Sequence, residues 1–154
     1  MLDTPQDIRP LAACTALRLL CCADMTHLCS LEGVPPSLEE LYCSRTAVPE
    51  LTPLSACTAL RRLDCSGACV PSLKPLSGCT ALTRLDCSMS GKLNSLAGLP
   101  RCVTHLVCCG TWLGSLAALW EHAALQELDI SCCPWLRDLT PLSSCRWVAA
   151  VGAC

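Results

Sequence analysis

A pair of apolar residues in L-x-x-L spacing comes back seven times along this chain of 154 residues. The copies are Leu17/Leu20, Leu38/Leu41, Leu60/Leu63, Leu82/Leu85, Val103/Leu106, Leu125/Leu128 and Val148/Val151, spaced 21 to 23 residues apart. A unit this short cannot bury an apolar face by itself, so its neighbours in sequence must stack on it and share one continuous core. A near-fixed period in the twenties therefore predicts a solenoid with one short strand per turn, not a globular fold.

Each turn carries further apolar positions. Two residues after the second Leu stand Cys22, Cys43, Cys65, Cys87, Cys108 and then Ile130, and a column that accepts Ile reads as buried. A second run at i, i+3 and i+6 follows: Leu28/Leu31/Val34, Val48/Leu51/Leu54, Val70/Leu73/Leu76, Leu93/Leu96/Leu99, Leu113/Leu116/Leu119 and Leu136/Leu139/Leu142. These predict the returning wall of the same core. The chain is 52% hydrophobic but only 3% aromatic, with no Phe, so small apolar side chains, Cys among them, must fill the interior. Pro-Leu pairs in "RPL", "TPL", "KPL" and again "TPL" predict a short helical or 3₁₀ turn, because Pro tolerates a first helical position whose N–H would have no partner. In the two TPL copies Thr52 and Thr140 are candidate caps.

The segments "LEELYCSRTAV", "LRRLDCSGACV" and "VTHLVCCGTWL" resemble the leucine-rich repeat, L-x-x-L-x-L-x-x-N/T/C-x-L, in the short class similar to internalin-like and phosphatase-regulator arrays. The resemblance covers about residues 10 to 151. It implies an α/β solenoid, a right-handed superhelix with short parallel strands on a concave face and 3₁₀, helical or loop segments on the convex side. Residues 1–9 read as an N-terminal tail and 10–154 as six to seven repeats with the last truncated. The family's Asn ladder is here Met25, Thr46, Ala68, Ser90, Thr111 and Cys133, which predicts looser loops at Met25 and Ala68. One extra residue before Leu28, Leu93 and Leu136 predicts small bulges on one rim.

The 17 cysteines sort by register. The strand column is expected to be core. Cys14, Cys57, Cys79, Cys102 and Cys145 are read as a second, convex column, largely buried as well. Cys21, Cys29, Cys69, Cys109, Cys132, Cys133 and Cys154 are irregular and expected to be exposed. No two cysteines are three residues apart, as a zinc site of C-x-x-C type would need. The closest arrangement, Cys102/His105/Cys108, is split by the strand alternation, and no orienting acid accompanies it or Cys109 for nucleophilic chemistry. Neither a cofactor nor a metal is expected.

Side chains alternate along a strand, which leaves two outward rows: Leu19, Glu40, Arg62, Arg84, His105, Glu127, and Cys21, Tyr42, Asp64, Asp86, Val107, Asp129. The resemblance implies that such a face binds a protein, and the candidate partner-binding residues are Glu40, Tyr42, Arg62, Asp64, Arg84, Asp86, His105, Val107, Glu127 and Asp129. The competing reading is a solvated face of ion pairs worth little each, with Arg62 and Arg84 neutralised by Asp64 and Asp86. Trp112, Trp120, Trp135 and Trp147 are expected to plug the C-terminal end.

A net charge of -2 with no basic run carries no electrostatic footprint for nucleic acid or an anionic membrane. No window approaches a bilayer span, no secretory leader is evident, and the odd number of cysteines favours a reducing, cytoplasmic setting. The expected function is non-enzymatic: a scaffold or regulatory interaction module with a protein partner. The other readings are a substrate-recognition fragment of a ubiquitin-ligase adaptor, a thiol or metal-dependent redox protein, and a secreted disulfide-stapled ectodomain. Apolar solenoid ends without caps would add self-association.

Overall fold

In the computed structural model, residues 7–120, 122–144 and 149–151 are described. Seven strands of three residues each stack in chain order into one parallel sheet: β1 (Leu19–Cys21), β2 (Glu40–Tyr42), β3 (Arg62–Asp64), β4 (Arg84–Asp86), β5 (His105–Val107), β6 (Glu127–Asp129) and β7 (Ala149–Val151). The register follows the repeat, with Leu20, Leu41, Leu63, Leu85, Leu106 and Leu128 paired in succession. In β1 to β6 the middle residue points inward and its two neighbours outward. This is the solenoid with one short strand per turn that the spacing predicts, of the α/β leucine-rich repeat type that the resemblance implies. The seventh pair's Val148, with Cys145, Trp147 and Cys154, lies outside the described residues.

The backbone ladder outruns the strands. Cys43 and Cys65 donate their N–H groups to the Asp64 and Asp86 carbonyls at 2.8 Å, and beyond them Arg45 and Gly67 donate to Ser66 and Ser88. Every strand from β1 to β6 then leaves through the same tight turn, whose second residue is left-handed: Asp24, Arg45, Gly67, Met89, Gly110 and Cys132, with φ between 53° and 68°. Only two of these six are glycine, and the stacked ladder holds Asp24, Arg45 and Met89 in a conformation they rarely adopt alone, their N–H groups donating to the carbonyls of Ser44, Ser66 and Cys109. Where a turn carries an extra residue, a second turn absorbs it. Leu28, Leu93 and Leu136 donate to the carbonyls of Met25, Ser90 and Cys133, which are the expected bulges.

The loops at Met25 and Ala68 retain the turn through backbone bonds, their N–H groups donating to Cys22 and Cys65 at 3.3 and 3.2 Å. At Thr46 and Thr111 the hydroxyl donates to the carbonyl three residues earlier, at 2.8 and 2.7 Å. Among the described residues the buried Ser90 hydroxyl has no hydrogen-bond partner.

On the convex side 3₁₀ turns span Arg9–Ala13, Thr52–Ala56, Lys74–Gly78, Ala117–Leu119 and Thr140–Ser144. Those at Arg9, Thr52 and Lys74 carry Pro in the first turn. The threonines are not their caps. Thr52 lies inside its turn and donates its hydroxyl to Glu50 at 2.9 Å. The capping acceptors sit two residues earlier: Asp7, Ser72, Ser115 and Asp138 accept the N–H of Arg9, Lys74, Ala117 and Thr140. Ser30 and Ser95 do the same for Glu32 and Ala97 in turns without 3₁₀ structure. In those two turns Gly33 and Gly98, at φ 93° and 91°, let the backbone lie against the neighbouring turn; a Cβ on Gly98 would stand 2.4 Å from the Lys74 Cα.

The core is continuous from Ile8 to Leu128. Cys22, Cys43, Cys65, Cys87 and Cys108 are buried in it, and the thiols of Cys22, Cys65, Cys87 and Cys108 donate to carbonyl oxygens of the following turn at 3.3 to 3.4 Å. The second cysteine column needs correction. Counting three residues back from each pair gives Cys14, Pro35, Cys57, Cys79, Pro100 and His122, and each of these accepts a backbone N–H from the first residue of that pair. Cys102 is out of this register by two residues, is half-buried, and reaches back to the Leu82 carbonyl at 3.1 Å. Cys57 and Cys79 are buried, whereas Cys14, in the first turn, is exposed.

Candidate functional site

Because the strands β2 to β5 bury their central Leu and the Cys that follows it, and β6 buries Leu128, the flanking side chains form two rows on the concave sheet surface. All ten residues singled out from the sequence lie on it: Glu40 and Tyr42 on β2, Arg62 and Asp64 on β3, Arg84 and Asp86 on β4, His105 and Val107 on β5, Glu127 and Asp129 on β6. Arg62, Arg84 and Glu127 are exposed and the rest half-buried.

The rows are organised by local chemistry. The Tyr42 hydroxyl donates to Glu40 Oε2 at 2.6 Å, and that bond, by holding the phenol proton, raises Tyr42 above the ordinary tyrosine value. The Arg62 guanidinium lies over the same ring, 5.3 Å from its centre. His105 Nε2 is 3.4 Å from Glu127 Oε1, and its Nδ1 is 2.8 Å from the Thr104 hydroxyl. Asp64, Asp86 and Asp129 serve the backbone, since Oδ1 of each accepts both the N–H and the hydroxyl of the Ser two residues on, Ser66, Ser88 and Ser131. The repeated "LDCS" and "LDIS" thus encode the turn out of the strand.

The neutralising pairs of the competing reading are not formed among the described residues. Among the described residues neither Arg62 nor Arg84 has a carboxylate within 4.0 Å. Besides His105 and Glu127, ion pairing is found at residues whose spacing along the chain did not single them out. Glu39 sits between Arg18 and Arg61, one from each neighbouring turn, at 3.8 and 3.6 Å, and Arg45 bonds Asp24 at 2.7 Å. Aligning the polar column just before the strands reveals the Arg18, Glu39, Arg61 series.

A second surface lies on the rim. Trp112 and Trp135 are each 60% exposed and Met89 is 67% exposed, so these tryptophans stand out from the rim and do not plug an end; Trp120 is exposed as well.

The buried thiols are held protonated. Burial pushes Cys22 and Cys79 up to about 11 and Cys65 up to about 12, and drives Cys43, Cys87 and Cys108 well above the ordinary thiol range. A thiol held protonated is a poor nucleophile and ligand. All the described cysteines are free, and no three potential ligands are gathered among the described residues.

No family model matches this chain, and no curated protein matches it. Solved structures do. An internalin of Listeria monocytogenes, InlF, aligns with a TM-score of 0.84 at 20% identity, over 96% of this chain and 44% of its own. The functional domain of InlJ from the same organism, described as including a cysteine ladder, aligns at 0.75 and 25% identity over 92% of this chain and 30% of its own. TLR13, in a complex with the RNA ssRNA13, aligns at 0.71 and 19% identity, over 96% of this chain and 23% of its own. The chain thus spans less than half the length of these three.

Proposed function

We propose that this chain, a leucine-rich repeat solenoid, is a non-enzymatic interaction module that docks a protein partner on the concave face of its sheet. The observation that carries the reading is the pair Arg62 and Arg84. They stand opposite each other in register on β3 and β4, exposed and, among the described residues, without carboxylate partners, while Glu39 pairs with Arg18 and Arg61 and His105 with Glu127. Arg and Tyr are enriched among the residues that anchor protein interfaces, and Tyr42 holds Arg62 in place through its ring. The similarity to internalins and to TLR13 in its complex with ssRNA13 supports a binding role in general. The choice of a protein partner rests on the mixed charge of the face and on the overall net charge of -2, which disfavours a polyanion. A scaffold or regulatory subunit in a reducing compartment fits the free thiols best.

The test places a photo-crosslinking amino acid at Val107 on the concave face or at Ser77 on the convex side, then compares capture in cell extract. Capture from Val107 alone, abolished by the combined Tyr42→Ala, Arg62→Glu and Arg84→Glu changes, supports the reading. Capture that is equal from both sites, or indifferent to the triple variant, rejects it.

A further inference from the structure

We infer that the partner segment carries side chains of both signs, an acid over Arg62 and Arg84 and a base over Asp64 and Asp86, and lies along β3 and β4 in one fixed direction. This rests on the concave-face reading above. The four charges form a rectangle. Arg62 pairs in register with Arg84, and Asp64 with Asp86. Adjacent strands lie about 4.8 Å apart and same-face residues along a strand about 7 Å apart. The like charges are therefore neighbours across the strands and the unlike charges neighbours along them.

Each corner but Arg84 is held before any partner arrives. The Tyr42 ring steadies Arg62. Oδ1 of Asp64 is tied to Ser66 and that of Asp86 to Ser88 by two bonds apiece, 2.6 to 3.0 Å long. These bonds leave Oδ2 of both aspartates outside the turn. The rectangle differs from its surroundings, where Arg18, Glu39 and Arg61, and His105 and Glu127, satisfy each other across turns. Side-by-side arginines and side-by-side aspartates repel within each row, and a partner of opposite pattern relieves both rows at once.

A single-sign segment fits one row and is repelled by the other. An extended segment places same-face side chains about 7 Å apart, which matches the distance between the rows. The sequence of such a segment is thus acid-x-base, with the acid over the arginine row. Because the arginines precede the aspartates along both strands, the pattern also sets the segment's direction. This is selection by charge register, and it is salt-dependent.

Short fluorescent peptides test the inference on the whole chain at low ionic strength: an alternating Glu-Ser-Lys-Ser peptide, a Glu/Ser peptide and a Lys/Ser peptide. The alternating peptide is expected to bind best and to shift the amide resonances of β3 and β4. Its affinity is expected to fall about tenfold in Arg62→Glu/Arg84→Glu and likewise in Asp64→Asn/Asp86→Asn, where the amide oxygen still accepts the Ser66 and Ser88 bonds. Binding of the Glu/Ser peptide to the parent as tight as that of the alternating one, equal binding of the Lys/Ser peptide, or no binding by any peptide overturns the two-sign pattern. Photo-capture from Val107 separates the two readings. If it is lost in the arginine variant but unchanged in the Asn variant, the concave face stands and the two-sign pattern falls; if unchanged in both, both fall.

Discussion

The guanidinium of Arg62 stands 5.3 Å from the centre of the Tyr42 ring, reaching diagonally from one turn of the solenoid to the turn before it. An exposed contact of this kind is worth about 0.5 to 1 kcal/mol. A double-mutant cycle of Arg62→Ala and Tyr42→Ala on urea denaturation should return a coupling of that size. Tyr42→Phe removes the bond to Glu40 but keeps the ring, so a cycle that starts from the Tyr42→Phe variant should retain most of the coupling. A cycle that closes to zero would leave the contact without energetic meaning.

Gly98 and Gly91 make a matched comparison on neighbouring segments. A Cβ at Gly98 meets the Lys74 backbone at 2.4 and 2.7 Å and needs φ 91°, whereas a Cβ at Gly91 meets nothing within 4 Å. Gly98→Ala is expected to cost about 2 kcal/mol or more through strain and displaced backbone. Gly91→Ala should stay within about 0.5 kcal/mol of the parent. Thermal melting of the two variants side by side checks the ordering.

Asp64 ties Ser66 into the turn that ends β3. Asp64→Ala should destabilise by about 1.5 to 3 kcal/mol, the range for hydrogen bonds to a charged group. Asp64→Asn, which keeps an oxygen in place, should cost clearly less. Equal losses would mean that the charge itself, not the acceptor, stabilises the turn.

The thiols predict a site-resolved pattern of alkylation. At pH 8 in the native protein Cys14, Cys21, Cys29, Cys69 and Cys132, all exposed, should react with iodoacetamide well before Cys43, Cys65, Cys87 and Cys108, which are buried. Peptide mapping by mass spectrometry reads this directly, and fast modification of the strand column in the folded state would contradict the burial.

The same thiols make stability fall at high pH. Their folded values lie above the ordinary 9.0, at about 11 for Cys22 and Cys79, so the unfolded chain loses these protons first. The contribution is complete below pH 9 and declines as pH rises through about 11. The urea midpoint should drop over that window, and less steeply in Cys22→Ala/Cys79→Ala than in the parent.

Much of this architecture was legible because repetition does the work that long-range information does elsewhere. Once Leu20, Leu41, Leu63, Leu85, Leu106 and Leu128 are aligned, strand alternation dictates which neighbours face in and which face out. That is why the strand cysteines and the ten concave residues fell where the spacing put them. The extra residues before Leu28, Leu93 and Leu136 could be read as bulges for the same reason: an inserted residue in a stacked turn has to leave the ladder. Cys102 misled because it stands only one residue before its pair, and Pro100 holds the column expected of it.

What the linear chain left open depends on contacts between turns. Arg45, Met89 and Cys132 have no intrinsic preference for positive φ, and the ladder from the next turn holds Arg45 and Met89 there. Whether Asp64 neutralises Arg62 or caps Ser66 is a choice between two nearby groups; the turn won because Ser66 offers an N–H and a hydroxyl together. The tryptophans, apolar in composition, stand exposed because at Trp112 and Trp135 the backbone has already left the core wall and the next residue, Leu113 or Leu136, turns back to it. Periodicity along the chain therefore determined which residues share a column. The stacking of one turn on the next decided which of them are paired, strained, buried or left to meet a partner.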